Sequence, residues 1–434
     1  MKHDGYLRDP ECWRLRGFTA TLCVLLVLLA GCGFQQRSQM GSTQFPTQTE
    51  RPAALSGMLT QVHMLDAQQG WVVSWQLAGD GSYHILHTTD GGWHWQDVLT
   101  CRSTVDQGKG FIKPCSTNFY SATVATITQP EYDQSTRASH VRIFHTADAG
   151  QHWQSAELKA TDLQTPATFI DALHGWAFVT EKFPGGDPGS TYIGQEIAVY
   201  RTIDGGQSWQ RAAHGPATSQ LPGTSDDGYG LAPLVASAQM AFFSPTTGWL
   251  MGRTYGKNSQ QAWLYLTHDG GMSWQRSSLV FSSAEDASWA PVFFNGQDGV
   301  LLGSVFGPAP QYSQTGKLYV THDGGQTWSG RAVPLMISNG ASIDLQQAWT
   351  ISDNQQLYIT HDGWQHWSTI HVQPAFKNIT SFNFISPTVG WALANSREHF
   401  APEPGGGATK GDVITLLKTT DGGQTWQETA FSRI

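Results

Sequence analysis

The chain has 434 residues, 39% apolar and 12% aromatic but only 14% charged, with 47 glycines and 18 tryptophans. That balance argues against a helical or disordered chain and for an all-β protein with many tight turns. A formal net charge of −9, with Lys and Arg together numbering 25, excludes the basic stripe a nucleic-acid partner requires and makes an anionic membrane surface or acidic polymer an equally poor partner.

The first predicted element is a targeting segment over residues 1–31. Arg14 and Arg16 precede an apolar run from Phe18 to Leu29, which closes on Leu29-Ala30-Gly31-Cys32. A basic stretch, a short apolar stretch and small residues before a cut site describe a secretory signal peptide. The run is shorter than the roughly 20 residues that span a bilayer. Asp4, Asp9 and Glu11 are atypical of such a leader and point to a start downstream of Met1. Leu-Ala-Gly-Cys is similar to the bacterial lipobox, which implies cleavage before Cys32 and lipidation of Cys32. Residues 32–51, rich in Gln, Ser and Thr, read as a flexible polar tether.

Export leaves Cys101 and Cys115, since Cys12 and Cys23 depart with the leader. Two thiols in an oxidising compartment are expected to pair, closing a loop of about 15 residues worth about 3 kcal/mol. Two free, partly buried thiols are the alternative.

From residue 52 to 434 one pattern recurs: Thr, any residue, an acid, any residue, Gly, two residues, Trp. The seven copies place Asp90, Gly92 and Trp95; Asp148, Gly150 and Trp153; Asp204, Gly206 and Trp209; Asp269, Gly271 and Trp274; Asp323, Gly325 and Trp328; Asp362 and Trp367; and Asp421, Gly423 and Trp426. In the sixth copy Trp364 stands where Gly is expected, which predicts a distorted turn. Upstream of each box is an apolar strand, and further upstream a second signature, Gly-Trp plus an apolar run, at Gly70-Trp71, Gly175-Trp176, Gly248-Trp249 and Gly390-Trp391. Gly299-Val300 and Ala348-Trp349 are degenerate versions, and the second repeat lacks it. Each unit therefore reads as four short strands joined by tight turns, and four-stranded units repeated radially are propeller blades. The expected fold is all-β, a seven-bladed β-propeller of four-stranded antiparallel blades over residues 52–434. The ring is expected to close either by blade packing alone or by residues just before Leu55 adding a strand to the last blade.

The box has a physical logic as a turn. The Asp carboxylate accepts backbone N–H groups two or three residues on, Gly supplies positive φ, and the Trp is expected to wedge between blades. Thr/Ser-x-Asp-x-Gly-x-x-Trp resembles the Asp-box, or bacterial neuraminidase repeat, of sialidases, xyloglucanases, sortilins and photosystem II stability/assembly factors. With Gly-Trp in the inner hairpin and seven blades, the chain looks most like the last of these families. That resemblance implies a non-catalytic, extracytoplasmic, chaperone-like scaffold for membrane complexes, with no cofactor.

The box acids, one per blade, are too dispersed for a paired-carboxylate site. His87, His94, His145, His152, His268, His322, His361 and His366 recur at box positions in different blades and are not expected to share a metal. A sialidase is expected to carry an arginine triad, a Tyr–Glu nucleophile pair and a Phe/Tyr-Arg-Ile-Pro string; the nearest string is Val141-Arg142-Ile143-Phe144, without the Pro. A xyloglucanase-like enzyme is expected to pair two propellers, and the length here suits one. A glycoside hydrolase of either type, or a glycan-binding surface module, is the alternative to a scaffold.

Long connections at 133–140, 182–195, 212–234, 305–316 and 396–411 are expected on the face opposite the box turns. Loops on a rigid scaffold are where binding residues concentrate. Candidate partner-binding residues there are Tyr132, Phe183, Tyr192, Asp226, Asp227, Tyr229, Trp289, Tyr312, Phe400 and Glu403. The expected partner is a protein, such as a membrane complex, reached from a lipid anchor, with no nucleic acid and with glycan as a further option.

Overall fold

The computed structural model describes residues 53–76, 81–102, 104–105, 112–113, 115–133, 138–160, 162–163, 166–182, 195–216, 239–255, 260–279, 281, 285–287, 291–306, 314–333, 339–351, 356–370, 379–396 and 413–433. The leader, the tether and Cys32 lie outside the described residues. Residues 51–434 form one compact unit. Among the described residues no helix is long and apolar enough to cross a membrane.

The seven predicted units are seven antiparallel blades of a propeller ring. Blade 1 runs Met58–Met64, Gly70–Trp75, Ser82–Thr88 and Gln96–Arg102, each strand pairing with the next. Blade 7 repeats the plan with Ile379–Phe384, Gly390–Ser396, Val413–Thr419 and Gln427–Arg433. The middle strands lie between neighbouring blades and are covered on both faces, so they are apolar throughout; every residue of Val413–Thr419 is buried. Outer strands such as Gln96–Arg102 face solvent on one side and are mostly polar.

Ring closure follows the second expectation. Ala53–Leu55 joins the last blade as a fifth strand, parallel to Gln427–Arg433, pairing Ala53 with Ala430 and Leu55 with Ser432. Asn383 Oδ1 also accepts the Met64 amide at 2.9 Å, joining the inner strands of the last and first blades.

The blades are held together by two sets of aromatic wedges. The most deeply buried wedges are the indoles of the Gly-Trp position. The box tryptophans also pack against the preceding blade as expected, Trp153 donating to the Val98 carbonyl of blade 1 at 3.0 Å. Trp71, Trp176, Trp249 and Trp349 each stack on an inner-strand Phe of the next blade, namely Phe119, Phe242, Phe293 and Phe384, with centroids 3.6 to 5.3 Å apart. Trp391 packs into the first blade beside Met64. Each box Trp whose ring contact is resolved in blades 3, 4, 5 and 7 meets the inner-strand Phe of its own blade edge-on. In blades 1, 4 and 5 its indole N–H donates to the Gly carbonyl of its own box. The Gly-Trp residue points across the gap because it sits on the second strand's face toward the next blade; the box Trp closes its turn and packs back against the preceding blade. An indole buries about 200 Å², of order 5 kcal/mol of gross apolar transfer.

The two departures from the repeat are repaired locally. The second blade has Thr126 at the Trp position, and His145 stacks instead on Phe169 at 3.8 Å. The fifth blade has Val300 there and the sixth has Ser342 at the Phe position. Trp364 fills that junction, 2% exposed among Val300, Leu302, Leu318 and Val333. The sixth turn is not distorted. Trp364 holds φ +72°, and its amide donates to Thr360 Oγ1 at 3.1 Å as the glycine amide does in the other boxes.

Candidate functional site

All seven boxes have one hydrogen-bond plan. The Thr hydroxyl donates to one Asp oxygen, at 2.9 Å in Thr88–Asp90 and 2.7 Å in Thr202–Asp204. That same Thr oxygen accepts the amide four residues on, Gly92 at 3.1 Å and Gly206 at 2.9 Å. The Asp oxygen accepts the amide of the residue before the Trp, four residues on, and, as expected, the amide three residues on as well, at 3.0 Å from Trp93 and 3.1 Å from Gln365. The second Asp oxygen takes that residue's side chain: His94, His152, Ser208, Ser273, Thr327, His366 or Thr425. Hydrogen bonds from Ser208, with its hydroxyl first and its amide second, hold the Asp204 carboxyl down at about 2. Thr327 does the same for Asp323, also at about 2.

A second turn motif escaped the sequence reading. The inner turn of every blade starts with Asp66, Ser121, Asp171, Ser244, Asn295, Asp344 or Ser386, whose side-chain oxygen accepts the amides two and three residues on. Its signal was an acid, amide or hydroxyl a few residues before each Gly-Trp. A box amide then bonds to this inner turn in all seven blades, as in Gly91 to Gln68 and Gly205 to Leu173. Both short turns thus share one face and form a braced ring.

The box histidines are distributed among turn roles rather than gathered at one metal. His87 Nε2 donates to the Ala122 carbonyl of the next blade, His145 to Ala172, Arg201 to Pro245, and Lys418 to Ala67. Burial pulls the His87 and His145 pKa values below the ordinary range, and likewise that of Lys418. His322 pairs with Asp298 at 2.7 Å, and His361 with Gln347 at 3.1 Å. No group of three or more metal-ligating side chains occurs among the described residues.

At the ends of the second strands away from the boxes are two acid clusters in equivalent positions of adjacent blades. Glu131 accepts Arg142 Nε at 2.9 Å and Nη2 at 3.0 Å, and His140 at 2.7 Å. Glu181 accepts Arg211 at 2.7 Å and the Tyr200 hydroxyl. Burial and then the Glu181 carboxylate push the Tyr200 phenol up to about 12. Arg142, Arg201 and Arg211 therefore each engage a partner of their own instead of converging on one carboxylate.

Cys101 and Cys115 are bonded, with Cα atoms 6.5 Å apart, tying the last strand of blade 1 to the first of blade 2. Of the proposed partner-binding residues, Tyr132 lies in the strand Ala125–Asp133, and its side chain is outside the described set. Phe183, Tyr192, Asp226, Asp227, Tyr229, Trp289, Tyr312, Phe400 and Glu403 lie outside the described residues. On the box face, a cleft of about 370 Å³ between blades 5 and 6 is lined by His322, Arg331, Gln346 and Asp362.

No family model matches the chain, and no curated protein matches it. Among solved structures it is similar to "YCF48 bound to D1 peptide", at 16% identity and TM-score 0.47 over 87% of this chain and 99% of that one. It is similar to the GH74 xyloglucanase from Xanthomonas campestris at 14% identity and TM-score 0.45, over 87% and 68%. It is also similar to an acylaminoacyl peptidase in complex with Z-Gly-Gly-Phe-chloromethyl ketone, at 10% identity and TM-score 0.51, over 86% and 52%. The chain thus spans about half the length of that peptidase.

Proposed function

We propose that this chain is a non-catalytic, lipid-anchored extracytoplasmic scaffold that binds protein partners and assists assembly of membrane complexes. The observation that carries this reading is the engagement of both oxygens of each box carboxylate inside its own turn. Carboxylates held ionised in this way brace a frame and are poorly placed to exchange protons with a substrate near neutral pH. The leader and Leu29-Ala30-Gly31-Cys32 support anchoring outside the cytoplasm. The resemblance of the repeat to the photosystem II stability/assembly factors supports an assembly role, and the long connections opposite the boxes support a partner surface there. The test is to offer purified full-length chain sialosides and β-glucans and to recover it from solubilised membranes. Recovery of a protein partner without hydrolysis supports the scaffold; turnover at enzyme-like rates ends it.

A second reading, a sialidase-type glycoside hydrolase, draws on the Tyr200–Glu181 pair with Arg211 beside it. Against it, the pair lies within one blade, with Tyr200 packed beside Val141 and Ile143 of the neighbouring blade. A phenol pushed up to about 12 is also a reluctant nucleophile. Sialoside cleavage abolished by Tyr200→Phe would establish this reading.

A further inference from the structure

The box face differs from one side of the ring to the other. At the outermost point of the inner turn, blades 1, 5 and 6 carry Gln68, Gln297 and Gln346, whereas blade 3 carries Leu173. In the box, Gln326, Gln365 and Gln424 contrast with Met272 of blade 4, and His322, His361 and Thr420 contrast with Ile203 of blade 3, while Gln151, Gln207 and His268 give blades 2 to 4 a polar rim. Tyr120 and Phe243 extend the same apolar sector on blades 2 and 4. The five large apolar side chains are 40–62% exposed, on turns whose backbone the ring holds rigid.

The sector is continuous through bonds between blades. His145 reaches Ala172, next to Leu173, and Arg201, two residues before Ile203, reaches Pro245, two residues after Phe243. Trp176 donates to the Gly270 carbonyl, two residues before Met272. Large apolar side chains grouped on a face where the repeat elsewhere supplies glutamine, histidine and threonine mark a contact surface.

The charge around it selects the occupant. The inner and box turns of blades 2, 3 and 4 contain Asp148, Asp171, Asp204 and Asp269, three histidines of which His152 and His174 sit against Asp148 and Asp171, and no Lys or Arg. Arg201, whose guanidinium reaches the box of blade 4 beside Gly270, is turned to the Pro245 carbonyl. An anionic bilayer is repelled by such a surface, whereas a cationic segment is drawn to it.

We propose that the box-face sector of blades 2 to 4 is a second docking surface, on the side away from the long connections, for a partner polypeptide segment in which Lys or Arg alternates with large apolar residues. The proposal rests on the scaffold reading and adds a surface and a ligand chemistry to it.

The probe is a short peptide of alternating lysine and leucine, with one of alternating glutamate and leucine as comparison, titrated against the full chain by fluorescence anisotropy. The variant L173Q/I203T/M272Q carries residues that the ring already uses at those positions, so its circular dichroism is expected to match wild type. The lysine peptide is expected to bind the wild type at least about tenfold more tightly than it binds the variant, and less tightly as salt is added. Equal binding of both peptides, or undiminished binding by the folded variant, overturns the proposal. If peptide binding is lost in the variant while no membrane partner is ever recovered, it is the assembly role that fails and not this surface.

Discussion

Trp364 occupies, from the sixth blade, the space that Val300 leaves open on the fifth. In the preceding junction a Cβ placed on Gly325, the residue equivalent to Trp364, would lie 2.8 Å from the Trp249 indole nitrogen. The box glycine and the wedge indole of the previous blade are therefore neighbours, and bulk can be supplied from either side. Trp364 also meets Trp367 edge-on at 5.4 Å, the contact that an inner-strand Phe makes in other blades.

Trp364→Gly is accordingly expected to cost about 3–5 kcal/mol, less about 1 kcal/mol regained by removing a side chain from positive φ. Adding Val300→Trp to that variant should restore most of the loss. Urea unfolding of the two single variants and the double variant measures this coupling, and simple additivity would refute the exchange of roles.

Acid stability should depend on the boxes. Asp204 and Asp323 are held at about 2 against an ordinary value of 3.8, so their contribution is present above the unfolded value and is lost as pH falls through about 2. Asp204→Asn should flatten the acid limb between about pH 4 and pH 2, as followed by near-ultraviolet circular dichroism. An unchanged limb would mean that the carboxylate does not brace its turn.

His145 works in the opposite half of the titration. Burial lowers its pKa, so the unfolded chain takes up a proton more readily, and stability falls as pH drops below the ordinary histidine value of 6.5. His145→Phe keeps a ring against Phe169, gives up the bond to Ala172 at a cost of about 1 kcal/mol near neutrality, and should weaken the pH dependence between about 7 and 5. Urea midpoints at several pH values decide it; a slope equal to wild type would contradict a buried neutral imidazole.

Reducing the Cys101–Cys115 bond should lower stability by about 3 kcal/mol, given its sequence separation of 14 residues. The loss should centre on the junction of blades 1 and 2. Hydrogen exchange with and without reductant would locate it, and uniform or absent change would argue against that staple.

Blade number, strand order and the shared face of the short turns were legible in the sequence because each is local and repeated seven times. The division of labour between the two tryptophan sets was not. Both sets are apolar, and only the pairing of Gly70–Trp75 with its neighbours shows that Trp71 faces the next blade while Trp95 closes its own turn. The partnership of Val300 and Trp364 spans two blades and leaves no local pattern. Closure by Ala53–Leu55 was one of two expected modes, since three residues give little signal. The apolar sector at Leu173, Ile203 and Met272 was overlooked because regular turns seemed to be frame alone; it emerges when the repeats are compared position by position.

The scaffold reading is tested most directly by recovering the anchored full chain from detergent-solubilised membranes and quantifying the proteins that accompany it. The comparison is a variant in which residues 217–234 are replaced by a glycine-serine linker. The account predicts that a membrane protein accompanies the wild-type chain in near-equal amount and is lost from the variant while the propeller stays folded. A chain that comes away alone, or with the same proteins in both forms, would contradict it.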